Sequence, residues 1–580
     1  MTYDLEKKKL GREPFVKCSL IMDYCALTAG VAPCTATETG DAKCFNTRAT
    51  CNDVENYDKT TKKYTFCQPR SSLPQGVNMF PVLDKKIQKA ATSTTAGSGL
   101  GKRAVIKLRL KDFIHSDKGI DPYVDERSYN PEEQGTFWGK FLTRNPYYEG
   151  RTLEVDYGYI GTPFSLSDFE TQAYDITEID GVTKSEVIIT GKDVLVRTYE
   201  QKAQYPKAST GKLLEDITIS AATATLTPAG IGDVEYPSSG TLVIGKDVKT
   251  FTRVGDVLTL TAHARWGSTN KEHKLGDTVQ VCETFDENIV VALDRILTVG
   301  AGIPSSFIPT AEWEIERDLW LSNSNVFGIL IKPESIEKVI GEWSEVFMFD
   351  IWSDVVTRTI PIKALSPEPS GVSISAFTER SNIIEGSLKI KRESKQRFTE
   401  VRVYYNKIDY TDKNDTENFN NLHISTDISR ASSDQYGDNS IKDIFSRWFV
   451  SDSNASQLAG RYLARFSDTP EIITFKLDQK DDGNLTLAGR IAIDSWQLQD
   501  FNGANEIRRY QVLEINEGNE SGHDFTVKAL TSSFVGRYFF ITPDGFPDYS
   551  GATEEQKEAY GFISQADGFF ADGNEAYKII

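Results

Sequence analysis

The chain has no long apolar run, and that is the first thing its 580 residues exclude. No stretch reaches the roughly 18 apolar residues that a membrane-spanning helix needs. The start, MTYDLEKKKLGREPF, lacks the apolar core of a secretory signal. The expectation is a chain assembled in the cytoplasm with no membrane span. Basic residues are in deficit: 65 Lys and Arg against 84 Asp and Glu leave a net charge of −19. Such a surface disfavours a nucleic-acid groove or an anionic lipid face. Methionine is scarce, at 4, and histidine at 5. Catalytic signatures are missing too, with no G-x-S-x-G elbow and no H-E-x-x-H. GSGLGKR (97–103) has three residues between Gly97 and Gly101 where a phosphate loop has four, and Arg103 follows Lys102. His115 stands among Asp112, Asp117 and Asp121 without calcium-loop spacing and reads as a solvated turn. His263, His273, His423 and His523 read as isolated. The acidic runs ETFDEN (283–288) and DQKDDGN (478–484) read as further solvated turns. Nothing singles out a carboxylate pair for glycan cleavage. The chain is expected not to be an enzyme, with no catalytic residues.

Aromatic residues are abundant, at 24 Tyr, 31 Phe and 8 Trp, and with many Thr and Val they point to a β-rich protein. Period-two alternation marks half-buried strands in AVIKLRLKDF (104–113), RTLEVDYGYI (151–160), SEVIITGKDVLV (185–196) and GKLLEDITIS (211–220). GTFWGKFLTRNPYYEG (135–150) gathers aromatics that fit either a core or an interface. Residues 219–282 read strand–turn–strand throughout. Helical periodicity enters in FDENIVVALDRILTV, AEWEIERDLWLSN and KPESIEKVIGEWSEVF, and again in SNASQLAGRYLARFSDTP (453–470). Strands return in VFMFDIWSD, SLKIKRES and EVRVYYNKI, and after 470 in EIITFKLDQ, AGRIAIDSW, RRYQVLEINEG and DFTVKALTSSF. The predicted class is mainly β, within α+β.

Six of the seven cysteines fall in residues 14–70, spaced C-x6-C-x8-C-x9-C-x6-C-x15-C from Cys18 through Cys25, Cys34, Cys44 and Cys51 to Cys67. The text between them is polar and turn-rich. A segment of about sixty such residues has too little apolar content for its own core, so a staple is expected. Disulfides need an oxidising compartment. Structural zinc usually shows C-x2-C or C-x4-C pairs, which are absent. An iron–sulfur cubane tolerates longer spacing, since each iron corner takes one thiolate. Spacing alone leaves all three readings, and free thiols, open.

DYCALTAGVAPCTATETGDAKCFNTRATCND resembles the central tail hub, or tail-tip, proteins of siphophages. LGKRAVIKLRLKDFIHSDKGIDPY, YNPEEQGTFWGKFLTRNPYYEGRTLEVDYGYIG and the module around GTLVIGKDVKTFTRVGDVLTLTAHARWGSTNKEHKLGDTVQVC extend the resemblance over most of 1–300. LAGRYLARF, LTLAGRIAIDSW and RRYQVLEINEGNESGHDFTVKAL resemble the second barrel of phage hubs, in order more than in identity. The resemblance implies a homotrimer that closes the tail tube at the virion's tail tip. Two barrels per chain form a pseudo-sixfold ring there, under the ring of the distal tail protein. Its expected partners are that ring, the tape-measure protein and other tail-tip and fibre proteins. It seats those parts and opens for DNA ejection, passing DNA without specific binding along an acidic lumen. Related tail-tip proteins of lambdoid phages and gene transfer agents carry a [4Fe–4S] cluster, which implies Cys25, Cys34, Cys44 and Cys51 as ligands here. Cys67 is an alternative ligand, and zinc an alternative metal.

The implied organisation is a Cys-rich cluster-binding segment (1–91), a first hub β-barrel (92–218) and an inserted small β module (219–284). A mixed α/β region (285–407), a second β-barrel with a leading helix (408–544) and a Gly- and aromatic-rich tail (545–580) follow. The rival functions are a tail-associated cell-wall or glycan hydrolase and a receptor-binding tail protein.

Overall fold

The computed structural model describes residues 3–531 apart from 7, 10, 12, 37–38, 70–78, 98, 161–164, 182–184, 199–202, 367–373, 432–439, 482–484 and 518–523, together with 551 and 553. The 545–580 tail therefore lies almost wholly outside the described residues, as does His523. The described chain is mainly β.

The first sheet has seven strands: β1 (Pro14–Cys25), β2 (Lys59–Cys67), β3 (Gln88–Ala90), β4 (Val105–Lys111), β5 (Thr152–Tyr159), β6 (Glu170–Ile179) and β7 (Glu186–Lys192). Their order is β2-β1-β5-β6-β7-β4-β3, antiparallel throughout. Bridges Phe66↔Phe80 and Leu83↔Leu110 then join the β2 edge to β4 and curl the sheet into a barrel. The alternation read in 104–113 sends Ile106, Leu108 and Leu110 inward and Lys107, Arg109 and Lys111 to water. Closure removes free edges, whose unpaired N–H and C=O groups would invite other chains.

The boundary expected at 91/92 is not a structural one. β1 and β2 belong to this barrel, and Cys18, Leu20, Met22, Tyr64 and Phe66 are part of its core. The cysteine segment thus borrows a core rather than needing one, which corrects the expectation of a free-standing stapled domain. The helix Phe137–Arg144 packs on the barrel core with one face, while Gly139 and Thr143 stay exposed. Phe137, Trp138 and Phe141 are buried there, and Trp138 stacks on Phe66 with ring centroids 5.2 Å apart. These aromatics are core rather than interface; Tyr147 alone of the run is strongly exposed, at 62%.

A short strand, β8 (Gln204–Tyr205), leads into a second seven-stranded sheet. It comprises β9 (Lys212–Leu213), β10 (Thr223–Thr227), β11 (Ser239–Ile244), β12 (Asp247–Val254), β13 (Val257–Ala262), β14 (Val279–Asn288) and β15 (Asn325–Leu330). The small module has its own core, from Leu213 to Val279. GKLLEDITIS forms a strand only at Lys212–Leu213 and a bridge at Ile217. ETFDEN is not a solvated turn. It is the end of β14, with Arg295 paired to Glu283 and Glu287.

The helical middle is a set of short pieces, Ile289–Arg295, Thr310–Glu316 and Ile336–Phe347, packed into the largest core with Trp313, Trp343 and Trp448. The helix Asp452–Phe466 buries Leu458, Tyr462 and Phe466 in that core. A six-stranded sheet takes up the strands read after 470, and it starts at Ser375–Thr378 and Lys389–Arg392, ahead of the expected 408. The Gly-rich stretch at 97–103 is a junction between these bodies. Gly97 N donates to buried Asp350 at 3.1 Å, and a Cβ on Gly101 would fall 1.6 Å from Ser93 O. Glycine serves close packing there, which is an ordinary use of a missing Cβ.

Candidate metal centre at the β1–β2 loop

β1 and β2 pair from Lys17↔Cys67 to Cys25↔Lys59. The loop between them, residues 26–58, carries Cys34, Cys44 and Cys51, and Cys25 stands where it leaves the sheet. Cys25 is buried, and the other three are partly exposed. These thiols feel one another electrostatically: burial first, then Cys51, Cys34 and Cys25 push the Cys44 thiol up. Burial, Cys25 and Cys34 likewise push up Cys51, while Arg48 opposes. All four residues implied by the resemblance are therefore brought to one end of the barrel. Among the described residues, no three His, Cys, Asp or Glu side chains are grouped tightly enough to hold a single metal ion.

Cys67 is not with them. Cys25 lies eight residues along β1 from Lys17, the partner of Cys67, and at 3.3 Å per residue that is about 26 Å. Cys67 instead sits in the barrel core and interacts with Cys18. Burial raises Cys67 to about 11 and Cys18 further. Both behave as small apolar side chains. The alternative ligand is thus ruled out by strand register, which spacing in sequence cannot reveal. Cys282 is buried beside Ile329 and Tyr410 in the second sheet.

The loop is held by a frame that its own sequence does not announce. Asn46, in the left-handed region at φ 56°, donates through Nδ2 to Cys25 O (3.1 Å) and Leu27 O (2.8 Å), and Cys25 N donates to Asn46 O (2.7 Å). Asp53 Oδ2 accepts from Thr35 N (2.6 Å) and Thr35 Oγ1 (2.9 Å), tying the Cys34 turn to the Cys51 turn. Arg127 does most. Its guanidinium donates to Gly40 O, Lys43 O and Cys44 O at 2.9–3.3 Å and to Asp41 O at 3.2 Å, with Asp121 as counter-ion at 2.8 Å. Ser128 also bonds Asp41, and Tyr123 Oη accepts from Ala29 N at 2.7 Å. Phe45 lies between the Arg127 and Arg144 cations, 4.3 and 3.9 Å from its ring centre.

The 115–128 segment is therefore not the solvated turn expected of it. Asp117 and Asp121 are buried, at 1% and 3%. Asp117 is held by Lys140 and Arg144, both at 2.7 Å, which keep its carboxyl below its ordinary value against the burial that pushes it up. The signal in the sequence is the matched count of acids at 112–121 and bases at 127–144. One polar atom is left over: Tyr57 Oη is buried with no hydrogen-bond partner among the described residues. Burial, with Asp23, Cys25 and Cys51, pushes Tyr57 up to about 12.

Neither a family model nor a characterised protein sequence matches the chain. Solved structures do. The solved structures it resembles include phage tail proteins. The 43 kDa tail protein of prophage MuSo2 from Shewanella oneidensis is 10% identical, over 78% of this chain and 98% of that one, with a TM-score of 0.36. A tail protein from Neisseria meningitidis MC58 is 10% identical over 74% and 88%, at 0.35. Prophage tail protein gp18 from Listeria monocytogenes EGD-e is 8% identical over 78% and 90%, also at 0.35. Among the described residues no helix is long and apolar enough to cross a membrane.

Proposed function

We propose that the chain is a structural hub of a phage tail tip, in which Cys25, Cys34, Cys44 and Cys51 hold a [4Fe–4S] cluster. The observation that carries the reading is the gathering of these four thiols, with Cys18 and Cys67 kept apart. The motif resemblance over residues 1–300 supplies the tail-tip role. A zinc ion needs its sulfurs on one point at about 2.3 Å. A cubane fits thiols that are close without converging, since each meets a separate iron. The orphan Tyr57 hydroxyl fits as well, since a sulfide or thiolate would accept its hydrogen bond. Arg48 supplies nearby positive charge for the Cys51 thiolate. When bound, the cluster cross-links the loop through four metal–sulfur bonds; the protein's part is to aim the sulfurs and screen them.

The hub reading places three copies at the virion's tail tip. They meet the distal tail ring and the tape-measure protein and part for DNA. It has no catalytic step. Anaerobic purification with visible absorbance, iron, sulfide and zinc assays tests the cluster. About four irons and four sulfides per chain are expected; zinc alone, or no metal, overturns it. Antibody labelling of intact particles tests the placement, with signal confined to the tail end. Sedimentation at micromolar concentration tests the trimer, and a monomer throughout would contradict it.

A further inference from the structure

The small β module encloses a polar group that a spacer does not need. Alternate residues of a strand share a side, so β12 turns Asp247, Lys249 and Phe251 toward one face, where Phe251 enters the module core. Asp247 is 0% and Lys249 1% exposed. A lysine this buried requires partners. Its Nζ lies 2.5 Å from Asp247 Oδ2, 2.7 Å from Asn270 Oδ1 and 2.9 Å from His263 Nδ1. Asn270 is itself fixed, donating through Nδ2 to Ile219 O at 2.8 Å. Asp247 Oδ2 is held by Lys271 N (3.1 Å) and His273 Nε2 (3.2 Å). Its other oxygen, Oδ1, is buried with no partner among the described residues. An amine, a carboxamide and a dry carboxylate thus meet at one point. Two of the histidines that read as isolated complete the group.

We propose that Lys249 and Asn270 join in an intramolecular isopeptide bond, with Asp247 as the catalytic acid–base residue. The resting Lys249–Asp247 pair is charged. Transfer of a proton from the ammonium to Asp247 gives two neutral groups; burial favours that form, but Lys249, Lys271 N and His273 hold the Asp247 carboxyl below its ordinary value, so the transfer is an uphill step. The Lys249 lone pair then attacks Asn270 Cγ, forming the N–C bond while the carbonyl electrons move to Oδ1. The tetrahedral centre collapses as Nδ2 takes the proton from Asp247. The Cγ–Nδ2 bond breaks, ammonia leaves, and the second amine proton goes to the restored Asp247 or to His263 before leaving to solvent. One amine and one primary amide become one secondary amide and one ammonia, with no change of oxidation state. Fixed neighbours of this kind react with effective concentrations far above any in solution. The bond ties β12 to the 263–278 loop, which otherwise joins the module by the bridges Ile217↔His273 and Lys212↔Thr278 and by hydrogen bonds such as Arg265 N to Val248 O.

The test is the mass of the full chain under denaturing conditions, with thiols alkylated, followed by protease mapping. The expected result is a deficit of one ammonia and a branched peptide containing both Lys249 and Asn270. A succinimide at Asn502–Gly503 loses the same ammonia but leaves both segments in linear peptides, which overturns the proposal, as does a full mass. Lys249→Met and Asn270→Ala are each expected to restore the full mass. Asp247→Asn is expected to leave the two residues unjoined; a joined product in that variant removes Asp247 from the reaction. The wild-type map decides the bond itself even where a variant fails to fold.

Discussion

Cys25 ends β1 and Cys67 ends β2, at opposite ends of one antiparallel ladder. That register makes opposite predictions for two chemically identical changes. Cys44→Ser is expected to remove most of the bound iron, because a cubane that loses one thiolate loses one of its four anchors. Cys67→Ser is expected to keep its iron and lose stability by about 1–3 kcal/mol, since it places a hydroxyl in the barrel core. Iron content and urea midpoints of the two variants check both; iron loss in Cys67→Ser would reverse the assignment. The spacing pattern left disulfide, free-thiol, zinc and iron–sulfur readings open, and it carries no register to say which cysteines lie together. Tyr57 is the residue that no pattern singled out. A hydrogen bond to a cluster sulfur stabilises the reduced form, so Tyr57→Phe is expected to shift the reduction potential negative. Spectroelectrochemistry of the two proteins measures it, and an unchanged potential would mean that the Tyr57 hydroxyl faces something else.

Among its described residues, the loop between β1 and β2 has no secondary structure of its own beyond two short 3-10 turns, and Arg127 takes the place of a ladder for it. Arg127→Leu removes the Arg127 donor from the Asp41, Lys43 and Cys44 carbonyls, leaves Gly40 O with Lys43 N alone, and leaves Asp121 buried without its charge partner. Breaking such a buried pair from one side costs about 3–5 kcal/mol. Hydrogen exchange is expected to rise across residues 26–58 while β1 and β2 stay protected, because their core residues do not depend on the loop. Adding Asp121→Asn is expected to recover part of the loss. Equal loss of protection in the loop and the ladder would show that they form one cooperative unit. β4 was legible in sequence because it has one wet face, and β5 because its polar Glu154 and Asp156 keep the alternation although they are buried. β1 was hidden because Phe15 to Leu20 are buried on both faces, which erases the period of two. GKLLEDITIS had the period but not the strand. Its alternation serves single contacts, Leu213 and Ile217 entering the module core from a chain that pairs only briefly.

At the scale of the molecule, the first barrel and the six-stranded sheet are joined where one carboxylate collects donors from both. Asp350, wholly buried, accepts from Thr95 N and Gly97 N between β3 and β4 and from Gln511 Nε2 in the six-stranded sheet. Thr94 N to Leu513 O at 2.8 Å and the bridge Ser93↔Glu514 reinforce the same seam. Neither barrel's sequence marks this contact, since its donors are mostly backbone groups. Burial raises the Asp350 carboxyl from 3.8 to about 6, against the pull of those donors and of Arg465. The folded state therefore holds this proton more tightly than the unfolded chain. Its contribution to stability is complete below pH 3.8 and disappears as the pH rises through about 6. A shift of that size corresponds to roughly 3 kcal/mol as an upper bound. Asp193 is raised to about 6 for the same reason and works in the same direction. Glu334 works the other way. Despite its burial, Arg447 and Lys338 hold it at about 2, so its contribution fades only as the pH falls from 4.5 toward that value. Between pH 7 and 5 the raised carboxylates dominate, and the urea midpoint of the whole chain is expected to rise as the solution is acidified. Asp350→Asn keeps an acceptor for Thr95 and Gly97 but cannot titrate, so its midpoint should climb less over the same interval. Tryptophan fluorescence reports the seam directly, because Trp343 and Trp448 lie in the core next to it. Parallel pH profiles for the two proteins would show that Asp350 is ionised at the junction throughout, and that the bodies are held by a buried charge rather than by a shared proton.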